Sequence, residues 1–459
     1  MKKLIPFLLI TVFTVSLVTA QTFKVPAFQK FTLKNGLTVY LMEQHEVPLV
    51  NVSVAFDAGA VKDGNRYGLA NMTADALLFG SSKYTKAQLD EKTEYVGASI
   101  DTQAGKEVVK LTSSFAVKDQ DQLFDLLQDV ITKPTFDATE FDKYKQRLTL
   151  QLTQQKESPR AVVGSYFNRF VFGQHPYANP TTGTQSTVAA ITAGDARKFY
   201  ASQYTADRAA IAVVGDFNTA DMKKRITTLF GGWQTAKASS PVVSDPALSF
   251  AKNQVLLINK ADARETTFLI GGKGITQRNP DFVAVTVVNT ILGGRFTSWL
   301  NDALRVNSGL TYGANSRFST LKTTGTFAVS TFTKTSTTTQ AIDMALNVLD
   351  SLQRVGIDET TLTSAKNYVK GDFPPNYESA ASLASLLTDM FSLGFDESFI
   401  NNFQKNVDDL TVAKAKEIVA TYFPKNNLQF VLIGKADDIR DKVKKYGVIT
   451  EKEIKAEGF

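Results

Sequence analysis

The sequence contains few of the side chains that build metal or redox sites. Its 459 residues include no cysteine and only two histidines, His45 and His175. Without cysteine the chain cannot form disulfides, so its stability must come from packing. Neither histidine belongs to a spaced cluster of metal ligands, and we therefore expect no zinc or other cofactor to be held by this chain.

Runs of like charge and long apolar stretches are also scarce. The net charge is +6 and no run of lysines or arginines occurs, which argues against nucleic acid binding. After residue 20 no stretch approaches the ~20 apolar residues of a membrane span.

Residues 1–20 begin with Lys2 and Lys3, continue as an apolar run and end in small residues. This pattern predicts a secretory signal peptide cleaved before Gln21. We expect an exported protein, periplasmic in a Gram-negative source and secreted otherwise.

The chain is too long for one hydrophobic core and contains an internal repeat. Residues 195–225 align without a gap on residues 414–444, and each copy is typical of a helix, a buried strand, a glycine and a second helix. Length and repeat together predict two homologous domains, residues 21–235 and 254–459. Residues 236–253, rich in Ser, Ala and Pro, are the predicted linker.

One stretch of the first half has the outline of an active-site helix. Residues 67–82 read YGLANMTADALLFGSS, with Leu69, Met72 and Ala76 at helical spacing until Gly80 breaks the pattern. The Gly-Leu-Ala start and the later glycine resemble the zinc-site helix of the insulinase, pitrilysin and mitochondrial-processing-peptidase family, whose signature is His-x-x-Glu-His. The resemblance implies an α+β fold of two homologous α/β-sandwich domains, each a mostly antiparallel sheet covered on one face by helices.

The resemblance also shows which groups are missing. Asn71 and Asp75 stand at the two histidine positions, and Ala74 stands at the glutamate position. In the family the two imidazoles bind Zn²⁺ and the glutamate acts as general base on the bound water. The family's third ligand, a glutamate on a later helix, falls near residues 150–152, which are Leu-Gln-Leu. We therefore expect a family member with a vacated metal site and no catalytic residue of its own.

The second half retains a longer family pattern within residues 279–317. Family members read close to N-x-I-L-G-G-x-x-x-S-R-L, followed by L-R-x-x-x-G-L-x-Y. The matching residues here are Asn289, Ile291, Leu292, Gly293, Gly294, Ser298, Leu300, Leu304, Arg305, Gly309, Leu310 and Tyr312. The departure is Trp299, where the family usually has arginine.

Arg305 and Tyr312 are the candidate substrate-binding residues. Their spacing predicts a helix end, a break at Gly309 and a strand start, so both side chains can converge on one cavity. Spacing alone favours an arginine that binds terminal helix carbonyls and a tyrosine of the core. The family resemblance favours a substrate-facing pair, in which the guanidinium binds peptide carbonyls and the phenol donates to the developing oxyanion.

In some family members the zinc site and the Arg/Tyr pair lie on different chains of a heterodimer. This chain resembles the subunit that supplies the pair, and the zinc is expected in the partner. We therefore predict a non-catalytic subunit of an exported zinc peptidase, inactive alone, that binds unfolded or small peptides. A stand-alone peptide-binding or scaffold protein is the alternative from another class, and a self-sufficient peptidase with an unrecognised site is the third.

Overall fold

The computed structural model describes residues 23–237 and 242–459. The predicted signal peptide, residues 1–20, lies outside them. Within these residues the chain forms two six-stranded sheets, one from each half of the sequence.

The first sheet has the strand order β1-β2-β6-β3-β5-β4. In it β2 and β6 run parallel, and the other neighbours are antiparallel. Its strands are β1 (Gln29–Thr32), β2 (Thr38–Glu43), β3 (Leu49–Phe56), β4 (Ser99–Ala104), β5 (Val109–Ala116) and β6 (Ala209–Gly215).

The second sheet has the order β12-β7-β11-β8-β10-β9. Here β7 is parallel to both β11 and β12, and the remaining neighbours are antiparallel. Its strands are β7 (Gln254–Asn259), β8 (Glu265–Lys273), β9 (Ala314–Thr320), β10 (Gly325–Lys334), β11 (Gln429–Gly434) and β12 (Val448–Glu453).

Helices separate the strands in a similar order in the two halves. The first half has α1 (Leu69–Ala76), α2 (Lys86–Tyr95), α3 (Gln120–Thr132), α4 (Ala138–Gln155), α5 (Pro159–Phe172), α6 (Gln185–Ala190), α7 (Ala193–Gln203) and α8 (Thr219–Phe230). The second half has α9 (Phe282–Asn289), α10 (Trp299–Asn301), α11 (Thr338–Arg354), α12 (Glu359–Asp372), α13 (Ala380–Leu393), α14 (Glu397–Asn401), α15 (Phe403–Asp408), α16 (Val412–Tyr422) and α17 (Ala436–Val443).

The repeat predicted from the sequence corresponds to α7-β6-α8 and α16-β11-α17. Both strands are buried along their whole length, which explains their continuous apolar runs. Local signals set the helix starts: Thr192 and Asp195 form a capping box at α7, and Thr411 caps α16. The predicted α+β class with two related sheets is confirmed.

Each sheet is covered on both faces, because the halves exchange a helix. α5 of the first half packs on β8 and β11 of the second sheet, and α13 of the second half packs on β3 and β6 of the first sheet. The expectation of helices on one face was therefore incomplete. The exchange brings the N-terminal end of α5 to the second sheet.

Candidate functional site

The helix at the vacated zinc motif, α1, is set in place by its N-terminal loop. Gly68 stands at the N-cap with φ of 93°, a left-handed conformation that glycine adopts without strain. The Asp63 carboxylate accepts hydrogen bonds from the backbone N–H groups of Gly68 and Ala70, each at 2.8 Å. These bonds satisfy helix donors that would otherwise lack partners. The helix ends at Ala76, earlier than Gly80, where the sequence pattern placed its end.

The two former histidine positions belong to a hydrogen-bond network that links α1 to α4 and β4. The Asn71 amide donates to the Tyr144 hydroxyl at 3.0 Å and to the Asp75 carboxylate at 3.4 Å. Tyr144 donates to the same Asp75 oxygen, and Thr102 donates to the other at 2.9 Å. The Asn71 amide nitrogen and both Asp75 carboxylate oxygens therefore have partners within the protein.

Burial governs the protonation of this network. Desolvation raises the pKa of Asp75, although the hydrogen bonds from Tyr144 and Thr102 act in the opposite direction. Desolvation, followed by the charge of Asp75, raises the pKa of the Tyr144 phenol well above its usual range. Ala74 is 0% exposed and lies in the apolar core of the first half. The site thus contains a shielded carboxyl and no group at the position of the general base.

The residues at this place do not fit a zinc ion. Zinc requires several imidazole, thiolate or carboxylate ligands in tetrahedral geometry, and Asp75 is the one such group in the network. No cluster of three or more His, Cys, Asp or Glu side chains suited to a metal occurs in residues 23–237 and 242–459. The side chain of α4 that reaches the former histidine positions is Tyr144, which lies earlier on the helix than residues 150–152.

In the second half, the two helices that follow β8 each continue into a wider turn. α9 runs into a π-helical turn at Thr290–Gly294, and α10 runs into another at Asp302–Asn307. π-Helical turns are rare and are often found at functional sites. The second turn contains Arg305, whose guanidinium lies 4.3 Å from the ring centroid of Phe296.

Arg305 and Tyr312 line the same cavity, whose volume is about 430 Å³. Tyr312 precedes β9 instead of lying within it, and its side chain is 83% exposed. Its ring stacks on Phe332 with the centroids 6.4 Å apart. Phe296 is 67% exposed and lines the same cavity. The contact of Arg305 with Phe296 and the contact of Tyr312 with Phe332 therefore lie together at this cavity. Trp299 is half-buried against the core of the second half.

The cavity also includes residues that sequence spacing did not indicate. Arg160, near the start of α5, lies over Phe332 with its guanidinium carbon 3.3 Å from the ring centroid. Val163, one turn further along α5, lines the cavity as well. Because α5 belongs to the first half, the cavity is assembled from both halves of the chain. Only the exchange of helices reveals this, since no local pattern connects Arg160 to Arg305.

Comparison with protein families matches the chain between residues 38 and 369 to two related models. Residues 38–185 match the model described as insulinase, peptidase family M16. Residues 190–369 match the model described as the peptidase M16 inactive domain. The second match contains the cavity residues Arg305 and Tyr312, and the first contains the vacated positions on α1.

Named relatives and a solved structure agree with these models. A Bacillus subtilis protein named uncharacterized zinc protease YmxG is 23% identical over 358 residues, covering 78% of this chain and 86% of the relative. A Helicobacter pylori protein named non-peptidase homolog YmxG is 21% identical over 393 residues, covering 85% and 90%. The crystal structure of a peptidase M16 inactive domain from Pseudomonas fluorescens has a TM-score of 0.83 at 24% identity, covering 89% of this chain and 98% of that chain. This last similarity shows that the fold is shared.

Proposed function

The chain belongs to the M16 peptidase family as a member without the zinc-binding motif, and we propose that it is the non-catalytic subunit of an exported zinc peptidase. In this proposal it binds an unfolded or small peptide and supplies Arg305 and Tyr312 to the active site of a zinc-bearing homologous partner. The metal and the general base belong to that partner.

The observation that supports this proposal most directly is the contrast between the vacated zinc motif on α1 and the cavity that Arg305 and Tyr312 line. Asn71 and Asp75 bond to one another and to Tyr144, whereas Arg305 and Tyr312 line an open cavity. Exposed apolar side chains that form a contiguous patch commonly mark a binding site. A relative of this chain is named a non-peptidase homolog, which is consistent with a role other than catalysis.

The chemistry of the cavity suits a peptide. The Arg305 guanidinium lies over the Phe296 ring, which cannot accept its N–H groups as a carboxylate would, so these groups can donate to peptide carbonyls. Tyr312 is exposed and can donate its hydroxyl proton in a hydrogen bond to an oxygen that becomes negative in the transition state. Both groups can therefore assist a reaction whose nucleophile is supplied elsewhere.

Export is part of the proposal and rests on residues 1–20, which have the pattern of a signal peptide. The protein would be periplasmic in a Gram-negative source and secreted otherwise. Among the residues that the structure describes, no helix is both long enough and apolar enough to cross a membrane.

The second candidate function is a peptide-binding or scaffold protein with no peptidase partner. The same cavity supports it, because peptide capture needs Arg305 and Tyr312 but no metal. A self-sufficient peptidase is the weakest alternative, since the described residues contain no cluster of metal-ligating side chains.

The test is to reconstitute activity with a homologous chain that carries an intact His-x-x-Glu-His motif, taken from a neighbouring reading frame. We expect peptide hydrolysis by the mixture to exceed that of the partner alone and to fall about a hundredfold with Arg305→Ala. Arg354→Ala, an exposed arginine on α11, is the matched control and should leave the activity unchanged. A mixture no more active than the partner alone would favour the peptide-binding or scaffold function.

A further inference from the structure

The cavity that contains Arg305 is rich in positive charge. Arg160 and Arg305 both line it, and its lining includes no Asp or Glu. Arg317 lies two residues after the lining residue Asn315 on β9, so strand alternation places it on the same face of the sheet, where it is exposed. Three guanidinium groups therefore stand on one side of the second sheet.

The two lining arginines are held by aromatic rings. Arg160 lies over Phe332 at 3.3 Å from its centroid, and Arg305 lies over Phe296 at 4.3 Å. A guanidinium that stacks through its face keeps its in-plane N–H groups available for a planar acceptor. The rings contact both guanidinium groups without neutralising their charge.

Neutralisation of these arginines by the protein itself is partial. Arg160 forms an ion pair with Glu265 at 3.2 Å, and both side chains are about half exposed, which limits the strength of that pair. No carboxylate lies within ion-pair distance of Arg305 in the described part of the chain. The cavity therefore has unmatched positive charge.

The corresponding cavity of the first half is balanced. It has a volume of about 580 Å³ and lies between the first sheet and α13, the other exchanged helix. Asp389 of α13, the one charged residue among the described residues of the cavity lining, pairs with Lys110 of β5 at 2.7 Å. The excess of positive charge is a property of the second half and is not a general feature of the fold.

We propose that the Arg305 cavity selects an acidic segment of polypeptide and that Arg160 is a second arginine that binds the carboxylate. This proposal rests on the proposed function, in which the cavity binds a peptide. The carboxylate can belong to an Asp or Glu side chain or to the end of a peptide chain, since both present the same planar acceptor to a guanidinium. Glu265 competes with that carboxylate for Arg160 and tunes the selectivity.

The experiment measures binding of fluorescently labelled, unstructured peptides to the purified chain by anisotropy. One peptide has a central Glu, a second has Gln at that position, and both are made with a free and with an amidated C-terminus. We expect a carboxylate to increase affinity about tenfold at low salt, and the gain to shrink as salt rises. The Glu and Gln pair reports a side-chain carboxylate, and the free and amidated pair reports a chain terminus.

Variants connect the preference to Arg160. Arg160→Gln should abolish the carboxylate preference and leave binding of the Gln-containing amidated peptide nearly unchanged. Arg160→Lys, which retains the charge but loses the planar fork, should retain part of the preference and provides a second variant if Arg160→Gln folds poorly. Glu265→Gln should enlarge the preference, because it removes the competing carboxylate. Arg354→Gln is the control for loss of a surface arginine.

The two proposals fail in different ways. Equal affinity for all four peptides, reduced in Arg305→Ala, would overturn the acidic preference and leave the proposed function in place. A carboxylate preference that survives in both Arg160 variants would overturn the role of Arg160. Binding of no peptide by the wild-type chain would overturn both proposals.

Discussion

In the first half of the molecule the polar side chains of α1 bond to neighbours within the protein, whereas in the second half Arg305 and Tyr312 face a cavity. The two sheets have related strand orders and differ in one edge strand, which comes first in the first half (β1) and last in the second half (β12). The difference between the two site regions is thus one of side chains and local helix geometry on a duplicated scaffold. A fold can lose the chemistry of one copy and keep the binding surface of the other, because each depends on a few residues.

The largest effect should come from restoring the glutamate at the vacated motif. Ala74→Glu places a carboxylate in the apolar core of the first half. We expect the free energy of unfolding to fall by about 3–5 kcal/mol in urea titrations. Ala138→Glu, at the exposed start of α4, is the control and should not destabilise the protein. A fully stable Ala74→Glu variant would show that this position can still accept a catalytic group.

The next largest effect should be a dependence of stability on pH that arises in the first half. It comes from Asp63, which accepts hydrogen bonds at the start of α1. Burial raises the pKa of Asp63 from 3.8 to about 7, so the folded state binds a proton that the unfolded state releases. This residue's contribution to stability is therefore present below about pH 4 and is lost as the pH rises towards 7, at a cost of up to about 4 kcal/mol.

The measurement is urea unfolding of the wild type and Asp63→Asn between pH 4 and pH 7. The asparagine retains an acceptor for one of the two backbone N–H groups and cannot ionise. We expect the stability of the wild type relative to the variant to decline across this range. Parallel curves for the two proteins would contradict a buried, proton-binding cap at α1.

Activity should depend on the second half. With the zinc-bearing partner, Tyr312→Phe removes the hydroxyl proposed to stabilise the oxyanion, and kcat should fall about a hundredfold, equivalent to about 2.7 kcal/mol. KM should change much less, because the ring that stacks on Phe332 remains. A rise in KM with unchanged kcat would assign Tyr312 to peptide binding alone.

The smallest effect compares one tyrosine from each half in the isolated chain. Tyr144→Phe removes the hydroxyl that bonds to Asn71 and Asp75, and should lower the free energy of unfolding by about 1–2 kcal/mol. Tyr312→Phe should change it by less than about 0.5 kcal/mol, since Tyr312 is exposed. Thermal melts of the two variants provide the comparison, and similar destabilisation in both would show that the halves do not differ as described.

Much of this contrast was accessible from the sequence. The repeat predicted the related sheets, because buried strands followed by glycine and a capped helix give strong local signals. Asn71, Ala74 and Asp75 were identified at the family's metal and base positions by their place in one helix. The spacing from Arg305 to Tyr312 was compatible with a common cavity, the family resemblance favoured one, and both residues line the same cavity.

The remaining features depend on contacts between distant parts of the chain. Tyr144 was missed because the sequence does not show which residue of α4 faces Asp75 once the two helices have packed together. Arg160 was missed because α5 and α13 have ordinary amphipathic patterns that do not reveal which sheet each helix covers. The π-helical turns around Arg305 have no distinctive composition, so the prediction placed Tyr312 inside the strand that it precedes.

The most direct test of the division between the halves is to measure zinc content and peptide hydrolysis on the same preparations. The purified chain is assayed alone and after mixing with the zinc-bearing homologue. The account predicts a single chain without stoichiometric zinc or activity, and a mixture that cleaves peptides faster than the homologue alone. A single chain that binds one zinc ion and cleaves peptides by itself would contradict it.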